Sequence, residues 1–125
     1  MSSAITTPVS IGENWWGIPD MMKSLSANAA CYAMVDVMKI GGVTGWIKAS
    51  ALADAENIPL SSHLFQEVSA HLLPLSRTAH YLEYIDLAGE ILQESMSVDQ
   101  GYCLPLEGSG NGIVWDEDTI QRYEV

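Results

Sequence analysis

The sequence Tyr32-Ala-Met-Val-Asp-Val-Met38 decides the fold class of this chain, because it is a short apolar run that stops at a glycine pair, Gly41-Gly42. A run of this length bounded by glycine is typical of a buried strand. A helical stretch from about Val43 to Glu56 follows it directly. A strand that leads into a helix is the repeating unit of α/β proteins with parallel sheets.

The helical stretch carries an apolar stripe along one face. Lys48, Asp54 and Glu56 lie off this stripe, as charged residues do in an amphipathic helix. The members of the stripe recur at four-residue spacing: Val43, Ile47, Ala51 and Ala55.

The same alternation extends to both sides. Strands are predicted at residues 8–12, 58–63 and 80–86, and helices from Ile18 and from Leu64, the second of which Pro74 ends. The order β-α-β-α-β-α-β predicts parallel strands with right-handed crossovers. A complete eight-stranded barrel needs about 200–250 residues, so the 125 residues hold roughly half of one. We therefore expect a partial β/α barrel at residues 1–88 and an irregular tail at residues 89–125.

Ionisable residues close the predicted strands. Glu13, Asp36, His63 and Glu83 each follow an apolar run. The carboxyl ends of parallel strands meet at one rim, where barrel enzymes build their active sites. A carboxylate beside an imidazole fixes its tautomer and suits general-base chemistry, and a protonated Glu83 could donate a hydrogen bond to a developing oxyanion. Lys39 follows Asp36 by three residues and is expected at the same rim.

Four segments closely resemble the mandelate racemase and muconate lactonizing enzyme family of the enolase superfamily. The resemblance runs from about Thr7 to Val125 and corresponds to the C-terminal third or so of a typical family member. It implies the C-terminal part of a (β/α)7β barrel, whose tail packs on an N-terminal capping domain. The segments are Ile11-Gly-Glu-Asn-Trp-Trp-Gly17, Asp36-Val-Met-Lys-Ile-Gly-Gly-Val-Thr-Gly-Trp46, Ser61-Ser-His-Leu-Phe-Gln-Glu67 and Tyr81-Leu-Glu-Tyr-Ile-Asp-Leu-Ala-Gly89.

The resemblance implies a role for each residue at the rim. Glu13 matches the last of three carboxylates that bind a catalytic Mg²⁺. His63 matches the base that removes the proton alpha to a carboxylate, and Asp36 matches the partner of that base. Glu83 matches the acid that hydrogen-bonds the substrate carboxylate as it becomes an enediolate. Lys39 is a weaker match, because a nearby lysine moves protons in muconate-lactonizing relatives but beside a His–Asp pair only tunes the electric field.

The implied function is Mg²⁺-dependent racemisation of a small 2-hydroxy acid. Dehydration of a sugar acid is an alternative that uses the same base. The family takes two further metal ligands, a second base and its lid from segments that this chain does not encode, so we expect the isolated chain to be inactive. A third interpretation is a non-catalytic half-barrel module.

Composition restricts the partners. The net charge is −11, which disfavours nucleic acid and anionic membranes. No apolar run is long enough to span a bilayer, the first residues lack the features of a secretory signal, and the two cysteines, Cys31 and Cys103, lie far apart. These features predict a cytoplasmic protein with two free thiols.

A half barrel also predicts association. It leaves two strand edges unpaired and one apolar face uncovered, and both features attract other chains. We therefore expect a homo-oligomer or a complex with the missing half. The segment Ser2–Pro8 resembles the continuation of a preceding helix and loop, so Met1 is expected to be an internal methionine or the start of a truncated gene.

Overall fold

Three parallel strands form the main sheet in the computed structural model, which describes residues 5–124. The strands are β1 (Ser10–Ile11), β2 (Tyr32–Asp36) and β3 (Leu60–His63), in the order β1-β2-β3. The register pairs Asp36 with His63 at the carboxyl ends of β2 and β3. The predicted segment Ser2–Pro8 lies partly outside the described residues.

Helices connect the strands, so the chain has the predicted α/β class. Helix α1 spans Ile18–Ser26, α2 spans Gly42–Ala55 and α3 spans Gln66–Leu72, and a 3-10 turn at Leu73–Leu75 continues α3. Pro19 stands in the first turn of α1, where its missing N–H leaves no hydrogen bond unmade. The helices and the sheet bury one core, whose largest fully buried side chains include Trp46, Met21, Leu60, Val35 and Val37.

Helix α2 turns a different face to this core from the one that its apolar stripe marks. The buried residues are Gly45, Trp46, Ala49 and Ala53, whereas the stripe from Val43 to Ala55 is exposed to solvent. The backbone approaches this face closely at Gly45, where a Cβ atom would overlap the carbonyl oxygen of Ile40. The buried face thus combines a close approach at Gly45 with the large ring of Trp46, and the stripe residues remain outside.

The fourth predicted strand, residues 80–86, does not form a regular strand. The chain begins to pair beside β3, since Leu60 N donates to the Thr78 carbonyl at 2.8 Å and His80 N donates to the Leu60 carbonyl at 2.8 Å. Only one parallel bridge results, between Leu60 and Ala79.

The pairing then slips by one residue. A regular ladder would join Ser62 N to the carbonyl of His80, but Ser62 N donates to the carbonyl of Tyr81 at 3.0 Å. One extra residue is thus accommodated, as in a β-bulge. The next backbone donor, Glu83 N, bonds the Ser62 hydroxyl at 2.9 Å instead of a carbonyl. At this point a hydrogen bond to a side chain takes the place of the backbone ladder. The prediction of a strand at residues 80–86 was wrong for this reason.

The tail has short elements of its own. A 3-10 turn spans Gly89–Ile91, a hairpin joins β4 (Val98–Asp99) and β5 (Tyr102–Cys103), and α4 spans Glu117–Gln121, where a helical turn was predicted. The Asp116 side chain caps α4 by accepting from Thr119 N at 3.1 Å. None of the described helices is both long and apolar enough to cross a bilayer.

The tail packs on α3 and on the segment after β3. Buried Ala70 of α3 meets Met96 and Leu106 of the tail, with Cys103 partly buried against them. The Tyr84 hydroxyl donates to the Met96 carbonyl at 2.7 Å. Through these contacts the tail packs on other residues of the same chain.

Cysteine reactivity tests this docking of the tail. Burial raises the pKa of the Cys103 thiol, and the charge of Glu67 adds to the shift. Cys31 is exposed. Because the thiolate is the reactive form, we expect iodoacetamide to modify Cys103 about tenfold more slowly than Cys31, as measured by peptide mass spectrometry. The two rates should converge in concentrated urea, and equal rates in the native protein would contradict the docked tail.

Candidate functional site

The site begins with a buried carboxylate. Asp36, the last residue of β2, is 2% exposed. Its Oδ1 accepts hydrogen bonds from Met38 N at 2.8 Å and Lys39 N at 3.0 Å. Its Oδ2 lies 2.9 Å from Nδ1 of His63, the residue that ends β3. Both carboxylate oxygens are therefore satisfied, as a buried charge requires.

This contact sets the chemistry of the imidazole. An ionised Asp36 can only accept, so Nδ1 of His63 carries a proton, and the contact of Nε2 with Glu13 is an ion pair when Nε2 is protonated as well. Nε2 lies 3.4 Å from Oε2 of Glu13. The side chain of His63 is 14% exposed and that of Glu13 is 56% exposed. Such an arrangement of carboxylate and imidazole can act as a general base.

Lys39 fastens the loop that follows β1. Its Nζ donates to the Glu13 carbonyl at 3.1 Å and to Asn14 Oδ1 at 2.8 Å. Its own carbonyl accepts from Gly17 N at 3.1 Å. Lys39 thus links the turn after Asp36 to the segment that carries Glu13, which fits a positioning role better than proton transfer.

Glu83 contacts the backbone next to His63. Its Oε2 accepts from Leu64 N at 2.8 Å. Leu64 and Phe65 have φ values of 50° and 46°, in the left-handed region that non-glycine residues rarely adopt. Two such residues in succession are costly, and they persist where surrounding contacts hold them. Glu83 therefore holds the strained turn that follows His63.

The rim residues face one side of the sheet. A cavity of about 380 Å³ is lined by Glu13, Ser10 and Met34, and a second, of about 340 Å³, is lined by Glu83, Ser10 and Met34. The shared lining residues place Glu13 and Glu83 above the same sheet face. The structure thus brings Asp36, His63 and Glu13 into contact, with Glu83 beside them.

Sequence reasoning missed two residues that position the others. Asn14 Oδ1 accepts a hydrogen bond from the Lys39 ammonium. Ser62 is fully buried, and its hydroxyl accepts a hydrogen bond from Glu83 N. Two serines in the short strand Leu60–His63 were a usable signal, because hydroxyls in a buried strand need partners.

The described residues do not by themselves fit a magnesium ion. They contain no group of three or more His, Cys, Asp or Glu side chains that could hold a metal. Mg²⁺ prefers six oxygen ligands in near-octahedral geometry and gives up water reluctantly, so the single carboxylate of Glu13 is insufficient.

The comparisons with known proteins agree on one family. The family model described as enolase C-terminal domain-like matches residues 1–119. The structure resembles that of an enolase from Bradyrhizobium complexed with magnesium and mandelic acid, with a TM-score of 0.94 and 41% identity. That likeness covers 99% of this chain and 34% of the Bradyrhizobium chain.

Two curated proteins are also similar. The chain is 30% identical over 115 residues to 3,6-anhydro-alpha-L-galactonate cycloisomerase from Streptomyces coelicolor, covering 91% of this chain and 32% of the relative. It is 22% identical over 117 residues to L-talarate/galactarate dehydratase from Salmonella typhimurium, covering 94% and 29%. The chain therefore spans about a third of the length of these relatives.

Replacing Glu83 tests its hold on the turn at Leu64. Glu83→Ala leaves Leu64 N without its partner and should lower the free energy of unfolding by about 1–3 kcal/mol in urea titrations. Glu83→Gln keeps an amide oxygen as acceptor and should cost less. Glu107→Ala, at an exposed glutamate of the tail, is the matched control. Equal stability of the Glu83→Ala and Glu107→Ala proteins would contradict the assignment.

Proposed function

We propose, because the chain belongs to the enolase C-terminal domain-like family, that it forms the C-terminal part of a (β/α)7β barrel and supplies one catalytic face of a Mg²⁺-dependent enzyme. The proposed reaction is removal of the proton alpha to the carboxylate of a small 2-hydroxy acid. The observation that carries the proposal is the Asp36–His63 pair, with its 2.9 Å contact at the ends of adjacent parallel strands.

The proposed proton transfer uses Nε2 of His63, the ring nitrogen that Asp36 does not contact. Nε2 accepts the alpha proton, the C–H electron pair moves into the substrate to form an enediolate, and the imidazolium is stabilised by Asp36 through Nδ1. Returning the proton to the carbon completes exchange on this face. The Asp36 carboxylate is held beside the imidazole by the hydrogen bonds from Met38 N and Lys39 N.

Glu83 is proposed to hydrogen-bond the substrate carboxylate as negative charge develops there. Oε2 accepts from Leu64 N, which leaves Oε1 as the oxygen that would meet the substrate. A short hydrogen bond that strengthens as charge develops lowers the barrier selectively in the transition state.

The described residues supply one part of the proposed catalytic site. Glu13 is one carboxylate, and the magnesium that accompanies the Bradyrhizobium relative needs ligands beyond those described here. Racemisation also requires an acid–base group on each face of the carbon, and His63 serves one face. We therefore propose that activity requires the remainder of a family protein.

Dehydration of a sugar acid is the second candidate. The similarity to the cycloisomerase and the dehydratase favours it. Its first step is the same removal of an alpha proton, after which the hydroxyl on the neighbouring carbon leaves. Choice between the two reactions depends on groups that contact the leaving hydroxyl. A non-catalytic half-barrel module remains the third candidate, because the isolated chain is expected to be inactive.

The isolated chain is expected to catalyse no alpha-proton exchange. The purified chain with Mg²⁺ and mandelate in D₂O should show no loss of the alpha-proton signal in the ¹H NMR spectrum beyond the uncatalysed rate. Measurable exchange would show that the described residues suffice, against the proposal.

A chimera tests whether the residues of this chain work in a complete enzyme. The chain replaces the last third of the Bradyrhizobium relative, and exchange of mandelate and dehydration of galactarate are both assayed. His63→Asn and Asp36→Asn should each reduce activity by about 10²–10⁴-fold. His71→Asn, outside the rim, is the control. An active chimera that tolerates His63→Asn would overturn the assignment of the base.

A further inference from the structure

The outer face of α2 is an apolar surface that the proposed reaction does not use. Val43 is 50% exposed and Ile47 is 56% exposed, and Ala51 and Ala55 continue the row toward the end of the helix. The opposite face of α2 is buried in the core. A helix that is apolar on both faces is normally covered on both.

A groove runs beside this row. A cavity of about 430 Å³ lies between α2 and the turn after α3, lined by Ile47, Ser50, Ala51 and Leu75. Leu75 is 72% exposed. A row of residues at four-residue spacing forms a ridge, and helices pack by placing such ridges into neighbouring grooves. This surface therefore presents both a ridge and a groove that could receive it.

Charge decides which part of the surface a second copy could approach. The chain carries 5 basic and 16 acidic residues, for a net charge of −11. Two of those basic residues, Lys48 and Arg77, border the α2 surface. Arg77 Nε lies 3.4 Å from Oδ1 of Asp54. Copies of an acidic chain repel one another least where the surface is locally neutral or positive.

The pattern on α2 is also complementary to itself. Lys48 and Asp54 stand three residues before and three residues after Ala51. Two antiparallel copies of α2 that cross at Ala51 would bring each Lys48 near the other copy's Asp54, whose Oδ1 also lies 3.4 Å from Nε of Arg77 in its own chain. That reciprocity is what a two-fold interface requires. The small side chain of Ala51 lets the two helices approach closely at the crossing.

We propose that the ridge formed by Val43, Ile47, Ala51 and Ala55, with the groove at Leu75, is a homodimer interface that a second copy of this chain occupies. The surface lies on the outer layer, behind the sheet that carries His63, so the dimer is independent of the proposed function. An interface of one helix and one turn falls near the lower limit for specific complexes, about 1,200 Å² in total. The dimer is accordingly weak and concentration-dependent.

Sedimentation velocity of the full chain tests the proposal between about 1 μM and 1 mM. The mass should rise from the 13.6 kDa of the monomer to twice that value. Ile47→Glu places a charge in the ridge and should raise the dissociation constant at least about tenfold. Leu104→Glu, at a 79% exposed apolar residue of the tail, is the matched control and should leave the dissociation constant unchanged.

A charge exchange tests the antiparallel arrangement. Lys48→Asp alone and Asp54→Lys alone each place like charges opposite one another, so each variant should dimerise about tenfold more weakly. An equimolar mixture of the two variants should restore dimers, because both contacts then join opposite charges. Circular dichroism confirms that each variant is folded.

Three results would overturn the proposal. The first is a monomer at every concentration. The second is an assembly that Ile47→Glu leaves intact, which would assign association to the open sheet edges. The third is a mixture of Lys48→Asp and Asp54→Lys chains that dimerises no better than either variant alone, which would exclude the crossing at Ala51.

Discussion

The burial of the Asp36 carboxylate is the constraint on which the candidate site depends. A charge that is 2% exposed must be fully paired, and here one imidazole and two backbone N–H groups share it. The parallel register of β2 and β3 delivers the imidazole, and the turn after β2 delivers the N–H groups. Lys39 belongs to that turn and extends the same network to the loop at Glu13. Fold and site are therefore one hydrogen-bonded structure.

The sequence was sufficient for the strands and helices where local pattern and burial agree. β2 and β3, with α1 and α2 beside them, follow from short apolar runs, glycine breaks and helical spacing. The buried face of α2 did not follow, because the helix carries two apolar faces and the one that packs in the core combines Trp46 with the close approach at Gly45. Hydrophobicity alone cannot rank two apolar faces.

The proximity of Asp36 and His63 was predictable, since both end neighbouring parallel strands. The hydrogen bonds of Lys39 were harder to predict. A long flexible side chain can reach several acceptors, and the fold determines which of them it contacts. The left-handed conformation of Leu64 and Phe65 had no signal at all, since neither residue favours positive φ. Such strain is a product of tertiary contacts, here the carboxylate of Glu83.

The slip in pairing between Leu60 and Ser62 has a consequence for where the last carboxylate points. In parallel strands, paired residues project to the same side of the sheet. Without the extra residue, Leu82 would stand next to His63 and Glu83 would face the helices. With the extra residue, Glu83 lies next to His63 and projects from the open face of the sheet. The extra residue, which interrupts the strand, therefore sets the direction of the Glu83 side chain. Deleting one residue within 80–82 would turn Glu83 away from His63 while both side chains stay in the protein.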